Sequence, residues 1–134
     1  MHVELLTPDR SLWSGEAGLV IAKTLDGDIG VQSGHSPVFG IISPGSVVRI
    51  REVPGDENPG DAVRCAVRDG FLSVTADRVS ILTSLGELSG EIDVTAAHAD
   101  LDTATAAASG SAAVEESAEV RYARARLRAA GEQA

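Results

Sequence analysis

The side chains with the clearest catalytic potential are three histidines, His2, His35 and His98. His2 lies at the N-terminus and His98 in a segment that predicts a weak helix, so His35 alone has a setting suited to a general base. Ser33 and Ser36 flank it, but a nucleophile and its base must lie within hydrogen-bond reach of each other. Residues so close in sequence seldom have that geometry, and we therefore expect a chain that is not an enzyme.

Metal and phosphate chemistry have little support either. Cys65 alternates with Val63 and Val67, which is typical of a small buried residue on a strand, and no other Cys or His stands at zinc-ligand spacing. Asp26-Gly27-Asp28 resembles the start of a calcium loop, but no run of oxygen ligands ending in Glu follows. Neither a Walker nor a Rossmann glycine pattern is present. We expect no metal and no cofactor.

The stretch from Gly27 to Pro37 holds three glycines and a proline. Glycine enters positive φ freely and proline fixes φ, so sharp turns are predicted here. Asp26, Asp28 and His35 fall on these turns. Two interpretations stay open: they are solvated turn residues, or a rigid scaffold presents them to a partner.

The composition excludes several classes of protein. A formal net charge of −9 over 134 residues argues against binding nucleic acid or anionic lipid, both of which need clustered Lys and Arg. The single cysteine excludes an internal disulfide and fits a reducing compartment. Because there is neither a signal-peptide pattern nor an apolar run approaching ~18 residues, we expect a cytoplasmic chain with no direct membrane insertion.

The chain divides into two parts with different periodicity. Residues 1–87 alternate apolar and polar side chains, as in Val63–Val67 and around Val79 and Ile81, and turn signals separate these runs. This predicts an antiparallel β-sandwich with an aliphatic core. Leu19-Val20-Ile21 does not alternate, which predicts a strand covered on both faces. Residues 54–61 predict a polar hairpin loop.

Residues 91–134 predict a helical hairpin with Asp93 as the first N-cap and Ser109-Gly110-Ser111 between the helices. Both predicted apolar stripes are rich in alanine, so we expect a hairpin that docks weakly on the sandwich and can detach. The stripes are Ala97, Leu101, Ala104 and Ala108 in the first helix and Val120, Ala123, Leu127 and Ala130 in the second. The second helix has three arginines on one face by i, i+3, i+7 spacing. These are Arg121, Arg124 and Arg128. They suit either a helix C-terminus or an acidic partner or phosphate.

An ordered set of motifs then resembles the epsilon subunits of bacterial F-type ATP synthases over about residues 2–98. The motifs are Trp13-Ser14-Gly15, Gly27-Asp28-Ile29-Gly30-Val31, Gly34-His35-Ser36-Pro37, Pro44-Gly45, Gly70-Phe71-Leu72-Ser73-Val74 and Val79-Ser80-Ile81-Leu82. The resemblance implies a mainly β fold with an α appendage: a sandwich of about ten strands followed by a two-helix hairpin. It also implies a non-catalytic subunit of the central stalk, peripheral to the cytoplasmic face of the membrane.

The resemblance implies partners as well. In this family the sandwich contacts the gamma subunit and the membrane rotor ring of a proton-translocating enzyme. The helices can fold down on the sandwich or extend along gamma into the catalytic alpha/beta head, and the extended form inhibits ATP hydrolysis. The family's acidic turn falls on Asp26 to Asp28 and its glycine-histidine pair on Gly34-His35, which implies interface roles for Asp26, Asp28 and His35. Inhibitory contacts would fall on Arg121, Arg124 and Arg128.

The family's ATP motif is degenerate here. Ile92 and Asp93 match its start, but Ala96 replaces its arginine. In the second helix Arg126 matches one family arginine and Tyr122 replaces the other. We therefore expect ATP binding to be weak or absent, with Ile92, Asp93 and Arg126 as residual contacts. The rival hypothesis is a ligand-binding β-sandwich or minor hydrolase that uses His35.

Overall fold

The structure, a computed structural model, describes residues 1–56, 60–107 and 117–132. It contains ten strands, a short 3₁₀ turn and two helices in the described residues. They are β1 (His2–Leu6), β2 (Ser11–Glu16), β3 (Leu19–Thr24), β4 (Gly27–Gln32), β5 (Val38–Ile41), β6 (Ser46–Arg51), β7 (Val63–Val67), β8 (Phe71–Thr75), β9 (Arg78–Leu82), β10 (Gly86–Leu88), the turn Ser89–Glu91, α1 (Val94–Ala107) and α2 (Ala118–Ala129).

The strands form two five-stranded sheets. Sheet A has the order β2-β1-β9-β8-β5 and sheet B the order β10-β7-β6-β3-β4. The predicted sandwich of about ten strands followed by two helices is confirmed. One pair departs from the predicted antiparallel pattern, since β1 lies parallel to β9, with His2 opposite Arg78. These two strands are distant in sequence, so no hairpin turn dictates their relative direction.

The core between the sheets is aliphatic, as predicted. Alternate residues of each strand point inward, and Val3 and Leu5 of β1 pack with Leu72 and Ile81, all fully buried. The prediction for β3 is wrong: Val20 and Ala22 are buried, whereas Leu19 and Ile21 are half-buried. β3 is interior to its sheet, but its outer face is only partly covered.

The first helix begins where Asp93 caps it. The Asp93 carboxylate Oδ1 accepts a hydrogen bond from the Ala96 amide at 3.0 Å, which satisfies one of the free N–H groups of the first turn. Ala97 is the buried member of the predicted stripe, and Leu101 and Ala104 are half-buried. Ala108 and the predicted Ser109-Gly110-Ser111 connection lie outside the described residues.

The second helix is buried on two faces, more than the alanine-rich stripe predicted. Its N-cap Ser117 accepts from the Val120 amide at 3.5 Å. Three residues of the second face pack against Ala66 and Val47 of sheet B and against Ile92; they are Tyr122, Ala125 and Ala129. The predicted stripe is also buried at Val120, Ala123 and Leu127. α2 therefore contacts α1, β6 and β7.

No helix in the described parts of the chain combines the length and the apolar character needed to span a bilayer.

Candidate functional site

Asp26 and Asp28 lie on a rigid hairpin at one end of the sandwich. Residues 25 and 26 connect β3 to β4, and Gly27 takes φ +119°, which favours glycine. The Thr24 hydroxyl donates to the Gly27 carbonyl at 2.7 Å and accepts from the Asp26 amide at 3.2 Å. Both aspartates are exposed, so the hairpin can present two carboxylates to a partner without rearrangement.

His35 lies at the opposite end of β4. Six residues of strand separate it from the hairpin, a distance of roughly 17 Å at the rise of a β-strand. The glycine-rich stretch predicted as one feature is therefore two surfaces, because a straight strand joins its turns. The His35 amide donates to the Gln32 carbonyl at 3.0 Å, and Nδ1 donates to the Ser36 carbonyl at 2.7 Å.

The surroundings of His35 do not resemble a catalytic site. Within the described residues its ring makes one hydrogen bond, and the partner is a backbone carbonyl. His35 does not line either of the two surface cavities described below, of about 640 and 210 Å³. A hydrolase mechanism would need Ser or Cys within reach of the ring, so the geometry gives the rival hypothesis no support.

An exposed apolar surface adjoins the acidic hairpin. Ile41, Phe71 and Leu82 lie side by side on the outer face of sheet A, since Phe71 is opposite both Ile41 and Leu82 in the pairing. Phe39 packs its ring 5.3 Å from that of Phe71 and is 63% exposed. Leu25, 65% exposed, donates its amide to the Ile41 carbonyl at 3.0 Å. We call these five residues the apolar row. A contiguous patch of this kind marks an interaction surface.

The apolar row was not predicted, although the sequence carries a signal for it. Phe71-Leu72 and Ile81-Leu82 are adjacent large apolar pairs within strands. Successive strand residues point to opposite faces, so one member of each pair must point away from the core. A small cavity of about 210 Å³ lies beside the row, lined in part by Asp26, Asp28 and Phe39.

A polar network joins α2 to β10 and α1. The Tyr122 hydroxyl donates to Glu87 Oε1 at 2.8 Å, and Arg126 Nη1 donates to Asp100 Oδ2 at 2.7 Å. Arg126 Nε lies 2.9 Å from Glu87 Oε1, an ion pair without hydrogen-bond alignment. Burial, and then the bond to Glu87, raises the pKa of Tyr122. The network ties the hairpin to the sandwich.

The predicted residual nucleotide contacts are all engaged in the fold. Arg126 faces two carboxylates, Asp93 caps α1, and Ile92 packs in the apolar cluster under α2. A phosphate at this place would have to compete with Glu87 and Asp100 for Arg126. The prediction that ATP binds weakly or not at all stays a prediction.

The three predicted arginines of α2 do share one face, and that face lines a cavity. Arg121, Arg124 and Arg128 form one wall of a cleft of about 640 Å³, and the outer face of sheet B forms the other wall. Arg128 Nη2 donates to the Gly45 carbonyl at 3.2 Å. The pKa of Arg128 is lowered by burial and by the nearby Arg124. We call this the basic cleft. Among the described residues, no group of His, Cys, Asp and Glu is placed to hold a metal ion.

Comparisons with known proteins identify the family. A sequence profile described as "ATP synthase, Delta/Epsilon chain, beta-sandwich domain" matches residues 1–89. An ATP synthase epsilon chain from Thermobifida fusca is 53% identical over 131 residues, covering 97% of this chain and 91% of the relative. Epsilon chains from Streptomyces griseus and Rhodococcus opacus are 44% and 48% identical, over 90% and 75% of this chain and 91% and 79% of theirs.

Solved structures share the fold. A chain of the Euglena gracilis mitochondrial ATP synthase, in a complex of OSCP, F1 and c-ring, has a TM-score of 0.72 at 22% identity, covering 97% of this chain and 80% of that one. A chain of the Tetrahymena thermophila central stalk and c-ring has a TM-score of 0.58 at 20% identity, covering 98% and 95%. The sequence resemblance is thus confirmed, and the chain belongs to the ATP synthase delta/epsilon chain family.

Proposed function

We propose that this chain is a non-catalytic rotor subunit of the ATP synthase central stalk, seated on its partners through the apolar row and the adjacent acidic hairpin. As a family member it is a subunit of an enzyme complex. The observation that carries the proposal is the apolar row, in which the more exposed of the two phenylalanines, Phe39, is 63% exposed in the isolated chain.

The apolar row favours a large protein partner over a small ligand. It lies on the flat face of a sheet and includes β5, an edge strand of sheet A. Fully burying a Phe or Leu side chain stabilises an interface by about 1.5–3 kcal/mol, and aromatic side chains dominate such surfaces. One related solved structure comes from a complex of central stalk and c-ring, and another from a complex of OSCP, F1 and c-ring. We therefore assign the row to the gamma subunit.

The acidic hairpin suits the membrane rotor ring. Asp26 and Asp28 are exposed beside the apolar row, so one end of the sandwich can contact gamma and ring together. Polar, exposed turns on a rigid sheet match the rim of an interface. His35, at the other end of β4, would contact a separate part of the stalk. The chain would then be a peripheral subunit at the cytoplasmic face of the membrane.

The gamma assignment is tested by measuring affinity for purified gamma subunit. We expect the double variant Phe39→Ala/Phe71→Ala to bind at least tenfold more weakly, since it removes two exposed rings without opening the core. Thr75→Ala is the matched control, because Thr75 is exposed on the same face of β8 at its far end. Unchanged affinity of the double variant would refute this interface.

The helices supply the regulatory part of the proposal. α2 contributes three arginines that would meet the acidic catalytic head if the hairpin extended. Removing residues 91–134 should raise ATP hydrolysis by the assembled enzyme while leaving assembly intact. Equal hydrolysis rates with and without the helices would mean that they do not restrain the enzyme.

A further inference from the structure

The basic cleft is lined mainly by positively charged side chains, although the chain as a whole is acidic. Six of the eleven Lys and Arg residues line it, but only two of the twenty Asp and Glu residues do. The basic residues are Lys23, Arg49, Arg64, Arg121, Arg124 and Arg128. Of the two acids, Asp61 accepts from Arg51 Nε at 2.7 Å, and Asp28 lies opposite Lys23 in the pairing of β3 with β4. The cleft is therefore a local reversal of the charge of the whole molecule.

The sheet side of the cleft sets like charges against each other. Arg49 of β6 lies directly opposite Arg64 of β7, an arrangement that destabilises an antiparallel pair. Within the described residues, neither of them nor Lys23 makes an ion pair, and Arg128 donates to a backbone carbonyl. Elsewhere, Arg10, Arg78 and Arg126 each face a carboxylate. Because these cations lack a carboxylate partner in the described part of the chain and lie close together, the cleft is suited to bind an anion.

The walls of the cleft also define the chemical class of the anion. Lys23, Arg49, Arg64 and Arg128 face one cleft of about 640 Å³, and together they suit several negative charges on one ligand. The lining contains none of the chain's aromatic residues, so it offers no ring on which a base could stack. A phosphate chain matches this charge, and a nucleoside adds no contact of its own.

We propose that the basic cleft is a binding site for a condensed phosphate, such as inorganic triphosphate, which bridges α2 to the outer face of sheet B. The ligand would contact Arg49 and Arg64 from the sheet and Arg128 from the helix. This site is separate from the Ile92, Asp93 and Arg126 region, which lies where α2 meets α1 and β10. It does not depend on the proposed rotor function, and binding can be measured on the isolated chain.

Calorimetric titration with sodium triphosphate, in metal-free buffer at constant ionic strength, tests the site. We expect saturable binding that weakens at least tenfold in Arg49→Gln/Arg64→Gln. The control Arg10→Gln/Arg78→Gln removes the same charge from outside the cleft and should stay within about twofold. Binding no stronger than that of sulfate at equal ionic strength, or an equal loss in the control, would overturn the proposal.

Two further arms distinguish the source of the phosphate and test the bridge. ATP and GTP should bind alike and no more tightly than triphosphate, whereas a tenfold preference for one base would show recognition of the nucleoside and overturn the assignment. Saturating triphosphate should slow hydrogen exchange of the α2 amides at least threefold in the wild-type chain. Binding without added protection of α2 would refute the bridge.

Discussion

Gly45 is the point where a single methyl group should separate α2 from the sandwich. It lies in the turn before β6 with φ +64°, and its amide donates to the Arg68 carbonyl at 3.0 Å. A Cβ at this position would lie 2.5 Å from Arg121 Cβ and 2.6 Å from the Arg121 carbonyl carbon. The obstacle is helix backbone, which cannot swing aside as a long side chain can.

The cost of Gly45→Ala has two parts. Placing alanine at positive φ costs about 1 kcal/mol. Relieving the collision requires α2 to move by about an ångström, and overpacking of this kind costs about 1–3 kcal/mol. Because the collision exists only while α2 is docked, the second part is avoided if the helix separates from the sheet. We therefore expect about 2–4 kcal/mol less stability for α2 and about 1 kcal/mol less for the sandwich.

Gly34→Ala is the matched control. Gly34 also has positive φ, +85°, but no atom lies within 4 Å of the position that its Cβ would take. Hydrogen exchange of both variants, read separately for α2 and for the strands, distinguishes the two costs. Gly45→Ala should lose protection mainly in α2, and Gly34→Ala should lose a similar small amount throughout. Wild-type protection of α2 in Gly45→Ala would refute the packing argument.

Three further predictions concern the network, the core and the sheet. Glu87→Gln should destabilise α2 by about 1–3 kcal/mol, because Arg126, which is 11% exposed, loses a carboxylate partner. The control Glu91→Gln breaks the exposed ion pair with Arg10 and should cost far less stability when both variants are unfolded in urea. Burial raises the pKa of Cys65 from 9.0 to about 12, so the unfolded chain releases this proton first. Cys65 should then lower the free energy of unfolding by up to ~1.4 kcal/mol per pH unit between pH 9 and 12. Tyr122, whose pKa is also raised, adds a slope of its own at the alkaline end, so Cys65→Ala should reduce the slope above pH 9 without abolishing it; an unchanged slope would contradict the prediction. Gly70→Ala would drive a Cβ into the Leu82 carbonyl at φ +132° and should lower the stability of the whole sandwich by about 3 kcal/mol or more in thermal unfolding.

The sequence predicted what depends on local pattern. Alternation along the strands identified the buried face, and helical spacing placed Arg121, Arg124 and Arg128 together. Asp93 caps α1, as predicted, because an Asx residue before a helical stripe has few other local hydrogen-bonding options. The aliphatic core followed from the scarcity of aromatic residues.

What the sequence could not predict depends on pairing between distant strands. Alternation shows which face a residue occupies but not which residue lies beside it, so the meeting of Arg49 with Arg64 was not visible. The same holds for Phe71, whose neighbours Ile41 and Leu82 come from strands on either side. The separation of His35 from the acidic hairpin was not predicted either, because residues close in sequence lie far apart when an extended strand joins them.

The balance of forces on α2 explains how a small ligand could matter to it. Tyr122 and Arg126 bind the helix to Glu87 and Asp100 on one side, while Arg128 faces the cations of sheet B on the other. Much of its apolar contact comes from alanine, which contributes little per residue. Repulsion across the basic cleft opposes docking, so the docked state of α2 is less stable than its other contacts alone would make it. An anion can contact both walls of the cleft only while α2 is docked, so it binds the docked state more tightly than the separated one. A ligand shifts a conformational population only through such a difference in affinity. The clustered arginines, unfavourable in a static protein, thus make the position of α2 responsive to a phosphate-bearing ligand.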